Sequence, residues 1–259
     1  MKLVFRAIGI FLVISQVLFA QGTSGTNAKY EYRSLVDMPT AGILEKGFVG
    51  ITLDNMPNGV VVSKMEVGVF DNLSFGISYG ASNLIGKGEP DWYKLPGINV
   101  RLRIINETEA TPAITFGFDS QGKGRYEDSE HERFEIKSPG FFAAAAKNFE
   151  FLGYLSVHGV VNYSLERDDN DKDLNMQIGV EKTVGGKFSV VAEWNFAIND
   201  NGSYSFGDGA GFINMGARWS VGEGFTVGLD FRDMLNNKKN IEPSRADRSL
   251  FVEYVKAIF

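Results

Sequence analysis

Three side chains able to form a nucleophilic triad lie close together in the sequence: Ser156, His158 and Asn162. A serine hydroxyl becomes a nucleophile when a histidine takes its proton and a third group orients the ring. These residues share one face of an alternating segment, as polar residues on the wet face of a β-strand do. The other histidine, His131, lies in a distant polar stretch. We therefore predict a hydrogen-bonded, non-catalytic His158 and keep a hydrolase as an alternative.

A second candidate site is the acidic stretch RDDNDKD, which begins at Arg167. Alternating aspartates hold Ca²⁺ in helix-loop-helix calcium loops, where a glycine follows at a fixed position. Leu174 occupies that position here, so the motif fails. We predict a solvated acidic loop and no metal site, with Asp169, Asp171 and Asp173 as the candidate ligands for a bridging divalent cation.

The composition narrows the classes of partner and chemistry. The chain has a formal net charge of −6 and a pI near 5.1, which argues against a nucleic-acid partner. It has no cysteine, which excludes disulfides and thiol chemistry. We find no cofactor motif and expect no cofactor.

The elements that position these residues are segments in which apolar and polar side chains alternate. In 174–184, apolar residues such as Ile178 alternate with polar or small residues such as Gln177, and the segments 155–165 and 187–198 follow the same rule. This period of two predicts β-strands with one apolar face and one polar face.

The gaps between such segments are alternately tiny and long. Asp71-Asn72, Gly185-Gly186 and Gly222-Glu223 suit tight hairpin turns, whereas the intervening gaps are mostly longer and polar. This rhythm is typical of an all-β, transmembrane, antiparallel up-and-down barrel with short periplasmic turns and long outer loops. The alternative is a secreted β-sandwich. We predict twelve strands, near 47–54, 59–69, 73–82, 96–106, 112–119, 139–148, 152–166, 173–184, 187–199, 210–221, 224–233 and 248–259.

The amino terminus predicts export. Lys2 and Arg6 precede an apolar run that ends at Ala20 and is too short to span a bilayer as a helix. We therefore divide the chain into a signal peptide (1–20), a periplasmic arm or plug (21–46) and an outer-membrane barrel (47–259). The sequence does not decide whether the arm enters the lumen.

Charged side chains within the strands are expected to point into the lumen. Both signs occur, so cross-strand pairing is favoured over a charge-selective filter. A twelve-stranded barrel lies between barrels filled by side chains and wide porins, so any pore should be narrow. The predicted polar lumen residues are Lys64, Glu66, Arg101, Arg103, Asp119, His158, Glu181, Glu193, Arg218, Asp230, Arg232 and Lys256.

Outward aromatic residues near strand ends predict a membrane girdle. In the last strand we place Phe251 and Val255 on the lipid face, a face that Glu253 interrupts. A terminal strand ending in Phe259 resembles the signal that the outer-membrane assembly machinery recognises. The predicted girdle residues are Tyr163, Phe188, Phe196, Trp219, Phe225 and Phe259.

Several stretches resemble a family of bacterial outer-membrane barrels of uncharacterised function. They are LVDMPTAGILEKG, ISYGASNLIG, LPGINVRLRI, PAITFGFDSQGKGRY, KSPGFFAAAAKNF and LSVHGVVNYSLE. The middle of the chain is also distantly similar to the YjbH-type exopolysaccharide-biosynthesis proteins, although this chain is far shorter than they are. The resemblance carries no catalytic motif, and it implies a role in the cell envelope.

Two functions therefore stay open beside the hydrolase alternative. The first is a non-enzymatic barrel that assists envelope or exopolysaccharide biosynthesis or export. The second is a porin-like channel for small solutes. For either, the expected partners are outer-membrane lipid and lipopolysaccharide, the assembly machinery, and polysaccharide or small solutes.

Overall fold

The computed structural model describes residues 22–127, 131–239 and 247–258, and within them it is all-β. The predicted signal peptide and Phe259 lie outside the described residues. No helix in the described part of the chain is long and apolar enough to cross a membrane. The strands are β1 (Phe48–Met56), β2 (Val60–Phe70), β3 (Leu73–Ser82), β4 (Asp91–Trp92), β5 (Gly97–Ile105), β6 (Ala113–Asp119), β7 (Lys123–Glu127), β8 (Arg133–Ile136), β9 (Gly140–Glu150), β10 (Tyr154–Tyr163), β11 (Asn175–Val184), β12 (Phe188–Asn195), β13 (Phe212–Gly222), β14 (Phe225–Arg232) and β15 (Asp247–Ala257).

Twelve of these strands form one closed antiparallel sheet. Its order is β1, β2, β3, β5, β6, then β9 to β15, and β15 pairs with β1 to close the ring. Closure leaves no unpaired sheet edge, as lipid requires of a spanning sheet. The predicted twelve-stranded barrel is confirmed.

Side chains alternate between the two faces of the barrel wall as predicted. In β11, Gln177 and Glu181 are buried while Ile178 and Val180 are exposed on the outer face. The turn from β11 to β12 uses Gly185 at φ +71°, a left-handed conformation that favours glycine. The outer face is therefore apolar and the inner face polar.

The last strand has the opposite face assignment from the one predicted. Phe251 and Val255 are buried inside the barrel, and Glu253 between them is buried as well, at 3% exposure. Leu250 lies on the exposed face. Both faces of this strand carry apolar residues, so the pattern was ambiguous, and Glu253 marks the inner face rather than interrupting the outer one.

The two ends of the barrel differ. At the turn end, β2–β3, β11–β12 and β13–β14 are joined by connections of two or three residues. At the loop end, longer connections contain β4, which pairs with the end of β3, and the β7–β8 hairpin. We did not predict these three short strands. The hairpin packs Phe134 against Val60, Val62 and Tyr93 and so folds over the mouth of the barrel.

Candidate functional site

The arm, residues 22–46, lies inside the barrel. It enters at the turn end, where the Thr26 amide donates to the Gly185 carbonyl (3.0 Å) and the Ser24 amide donates to Ser220 Oγ (3.0 Å). It then rises into the lumen and returns to begin β1 at Phe48. The described part of the arm therefore lies in the lumen, and its role as a plug stays a prediction.

The deepest part of the arm is a small hairpin, and we call residues 35–38 its tip. The Thr40 amide donates to the Arg33 carbonyl and the Leu35 amide to the Met38 carbonyl, both at 3.0 Å. Leu35 approaches the wall closely at Gly179, where an added Cβ would lie only 2.4 Å from Leu35 Cδ1. The apolar side chains of the hairpin are fully buried and pack against small and apolar wall residues, namely Ala113, Phe142, Ala144, Val160 and Val191.

Glu193 on β12 holds the tip. Its carboxylate accepts hydrogen bonds from three successive backbone amides, those of Val36 (2.8 Å), Asp37 (2.8 Å) and Met38 (3.1 Å). It also accepts one from Asn214 Nδ2 at 2.8 Å. Hydrogen bonds to a carboxylate are among the stronger ones in proteins, and the Glu193 side chain is buried. Glu193 thus binds the arm rather than a charged residue of a neighbouring strand.

Three wall arginines hold backbone carbonyl groups of the arm. All are buried, and each directs its guanidinium at the main chain. The pairs are Arg218 with the Leu35 oxygen (2.7 Å), Arg101 with those of Thr40 (3.1 Å) and Gly42 (3.3 Å), and Arg103 with that of Ala41 (2.7 Å). Arg218 also pairs with Asp230 on the adjacent strand, as cross-strand pairing predicts.

Arg33 is the buried cation of the arm. Its Nε lies 2.7 Å from Glu66 of β2, and a terminal nitrogen pairs with Glu253 of β15. These two strands flank β1 on either side. Arg33 therefore bridges the strands on both sides of β1.

Asp37 is the buried anion of the arm. It lies 3.0 Å from Arg232 and 3.2 Å from Lys123, and it accepts a hydrogen bond from Asn214 at 3.1 Å. Burial alone would raise the pKa of Asp37, but the positive charges of Arg232 and Lys123 outweigh it and hold the pKa below its ordinary value. Asp37 therefore remains ionised between Arg232 and Lys123.

The loop end closes onto the same tip. Lys123 of the β7–β8 hairpin donates to the Val36 carbonyl at 2.8 Å and pairs with Asp54 of β1 at 3.1 Å. Arg133 of the same hairpin is completely buried and pairs with Asp169 and Asp200, both at 2.6 Å. Lys123 thus joins the hairpin to the arm, and Arg133 joins the hairpin to two outer loops.

The acidic loop, residues 167–173, contributes carboxylates that bind the residues closing the loop end. Asp169 pairs with Arg133 and with Lys137 (2.7 Å), and Asp171 accepts hydrogen bonds from the backbone amides of 201 and 202. Asp173 is exposed. Asp169 and Asp171 are therefore buried rather than solvated, which corrects the predicted solvated loop.

Little open space remains around the tip. Two cavities of about 40 and 60 Å³ lie beside it, enough for only a few water molecules each. A larger cavity of about 410 Å³ opens between the arm and the wall on the turn-end side, lined by Asn148, Ser156, His158 and Glu181. The lumen is therefore constricted at the tip.

The predicted triad residues are not assembled for catalysis. Ser156 Oγ donates to Asn148, and Asn162 donates to the Pro139 carbonyl at 2.9 Å. Neither ring nitrogen of His158 has a hydrogen-bond partner among the described residues. The hydrogen-bonded histidine therefore stays a prediction. The Ser156 hydroxyl is directed at Asn148 rather than at His158, so the serine–histidine bond that activates a nucleophile is not formed.

The structure places the predicted lumen residues inside the barrel with one exception. Lys256 is exposed, because the true register of β15 turns it outward. Lys64 and Asp119 pair with each other at 2.5 Å, and Glu181 accepts a hydrogen bond from Ser189. Sequence reasoning missed the central roles of Arg33, Asp37, Lys123 and Arg133, which lie outside the barrel strands.

The predicted girdle residues lie at or near the outer face. Phe188 and Trp219 are exposed on neighbouring strands and stack at a centroid distance of 5.9 Å, and Phe225 is also exposed. Tyr163 and Phe196 are half-buried. Their role at a membrane interface stays a prediction.

No protein-family model matches the sequence, and no curated protein matches it. The resemblance to YjbH-type proteins therefore also stays a prediction. Among solved structures the barrel is similar to the KdgM porin, with a TM-score of 0.51 and 10% identity over 80% of this chain and 98% of the porin.

Two further structures share this similarity at lower scores. The NanC porin has a TM-score of 0.45 and 8% identity, covering 81% of this chain and 98% of its own. Omp33 of Acinetobacter baumannii has a TM-score of 0.46 and 10% identity, covering 82% and 98%. At such identities the likeness to the KdgM porin concerns the fold alone, and this chain has the fold of a bacterial outer-membrane β-barrel of the porin type.

Proposed function

We propose that the protein is a non-enzymatic outer-membrane channel for small solutes, whose own arm closes the lumen. The turn end faces the periplasm and the loop end faces the cell exterior, as in other barrels of this class. The observation that carries this proposal is a polar lumen occupied by a segment that is not part of the wall and that is held there mainly by side chains.

The arm is suited to be a gate because its contacts differ from those of the wall. Adjacent wall strands share continuous ladders of backbone hydrogen bonds, as in β10 and β11. The arm is held by individual side chains and by few backbone pairs. Mild denaturant therefore releases the arm before it unfolds the barrel.

Single-channel recording in planar bilayers tests the channel. We expect the full-length protein to be mostly silent in buffer and to show reversible conductance steps when urea is added. Arm release is followed in parallel by protease cleavage within residues 30–40. A barrel that stays silent although its arm has become cleavable would contradict the proposal.

Acidification should open the channel through Asp37. A carboxyl group whose pKa is lower in the docked arm than in the free arm stabilises docking above the ordinary pKa of 3.8, and this stabilisation is lost as the pH falls further. We expect the open fraction to rise below about pH 4.

Asp37→Asn provides the control. It removes the carboxylate that Arg232 and Lys123 share and leaves Lys123 paired with Asp54, so its open fraction should already be raised at neutral pH and should change less on acidification. Any remaining response reports the other carboxylates that hold the arm, which are Glu193, Glu66 and Glu253. Identical pH profiles for the wild type and the variant would refute the role of Asp37.

We keep an accessory role in exopolysaccharide biosynthesis or export as a second proposal. The observation that favours it is the 410 Å³ cavity at the turn end. Its lining mixes donors and acceptors from His158, Ser156, Asn148 and Glu181, which suits sugar hydroxyl groups. Loss of surface polysaccharide in a deletion strain, restored by the wild type but not by His158→Phe, would support it.

A further inference from the structure

The arm is recognised chiefly through its main chain. At the entry, hydroxyl groups of the wall accept hydrogen bonds from three successive amides, and at the tip Glu193 accepts from three more. Cationic side chains donate hydrogen bonds to five carbonyl groups of the arm between Leu35 and Gly42. The entry pairs are Thr23 with Thr226 (3.1 Å), Ser24 with Ser220 (3.0 Å) and Gly25 with Ser189 (2.9 Å), and the carbonyl groups belong to Leu35, Val36, Thr40, Ala41 and Gly42.

Main-chain recognition has a general consequence. Every peptide segment carries the same amide and carbonyl groups, so a site that reads them binds by backbone path rather than by sequence. Peptide-binding grooves that work this way gain affinity from the main chain and specificity from a few side-chain pockets. The lumen has both kinds of contact.

We propose that the lumen is a polypeptide-binding site, occupied in this chain by its own arm, and that a separate polypeptide that enters from the turn end and forms the same hairpin can take the arm's place. This goes beyond a channel function, because it assigns a macromolecular ligand to the lumen.

Two pockets define the side chains that such a ligand needs. One is the pair of buried carboxylates, Glu66 and Glu253, which receives Arg33. The other is formed by Arg232 and Lys123, which receive Asp37. The partner is therefore a segment with an arginine followed four residues later by an acidic residue, and with apolar residues between and beside them.

Peptide exchange on the intact fold tests this site. A protease recognition sequence is inserted between Glu45 and Lys46, which are both exposed. After cleavage the arm stays in the lumen without a covalent link. A fluorescent peptide with the sequence of residues 22–45 is then added, and its incorporation is followed by fluorescence anisotropy.

Two altered peptides separate main-chain from side-chain recognition. A peptide that keeps Arg33 and Asp37 but carries Leu35→Ile and Met38→Leu should bind within about tenfold of the native sequence, because these changes nearly conserve apolar volume. A peptide with Arg33→Ala and Asp37→Ala should bind about 100-fold more weakly.

The outcomes are distinct. Exchange that follows this order supports the proposal. A cleaved arm that no peptide replaces, or that only the native sequence replaces, overturns it. If the insertion prevents folding, the unmodified chain is refolded in detergent with excess labelled peptide, and failure of the peptide to compete with the tethered arm at any concentration overturns the proposal equally.

Discussion

Replacing Glu193 with alanine is expected to raise the open probability of the channel about 100-fold. The substitution removes the acceptor for three amides of the tip and for Asn214 at once. Leaving buried donors without partners costs about 1 to 3 kcal/mol, and a loss of about 2.7 kcal/mol in docking corresponds to a 100-fold change in population. Single-channel recording measures the open probability, and hydrogen exchange of residues 33–40 measures docking.

Glu181→Ala is the matched control for this experiment. Glu181 is also a buried glutamate of the wall, on the strand next to Glu193, but it accepts its hydrogen bond from Ser189, whose Oγ can still accept the Gly25 amide when the carboxylate is removed. We expect its open probability to stay at the wild-type level. Glu193→Gln should fall between the two, because an amide oxygen still accepts hydrogen bonds but carries no charge. If Glu193→Ala changes neither conductance nor hydrogen exchange, the tip is not the closing element.

Arg133→Ala is expected to detach the outer loops while the barrel remains intact. Arg133 is fully buried and pairs with Asp169 and Asp200, which belong to two different loops. Removing one partner from a buried ionic cluster costs about 3 to 5 kcal/mol, because unpaired charges remain buried. Protease cleavage within 164–174 and 196–211 on intact cells should increase strongly, whereas the heat-dependent electrophoretic mobility of the barrel should not change.

The neighbouring strand offers a control for the arginine. Arg125 pairs with Glu135 at 2.8 Å, but nearly half of its side chain is exposed. Ion pairs at such positions contribute at most about 1 kcal/mol. Arg125→Ala should therefore leave loop cleavage unchanged. Equal cleavage in the two variants would mean that burial of Arg133 does not hold the loops.

The barrel strands could be predicted because each has two chemically different faces. In β11 the alternation of Ile178 and Gln177 is unambiguous, and the structure follows it. In β15 apolar residues occupy both faces, so the apolar pattern alone does not decide which face turns inward. The partner of the buried Glu253 is Arg33 of the arm, 220 residues away in sequence. Such a contact leaves no local signal.

The filled lumen was harder to predict for the same reason. The wall arginines suggested partners on neighbouring strands, because cross-strand pairs are the usual way to satisfy charges in a sheet. Within the described barrel strands, Arg218 fits that expectation through Asp230, whereas Arg101 and Arg103 turn to the arm. A usable signal was present in the arm, where Leu35, Val36 and Met38 form an apolar group in an otherwise polar segment. Residues of this kind need a surface to cover, and the lumen provides it.

The position of Arg33 links the arm to the seam of the cylinder. Arg33 pairs with carboxylates on β2 and β15, the two strands that flank β1 in the closed sheet. When the arm is undocked, both buried carboxylates lack this cation, and an unpaired buried charge destabilises its surroundings. Opening the lumen is therefore expected to weaken the barrel where its first and last strands meet.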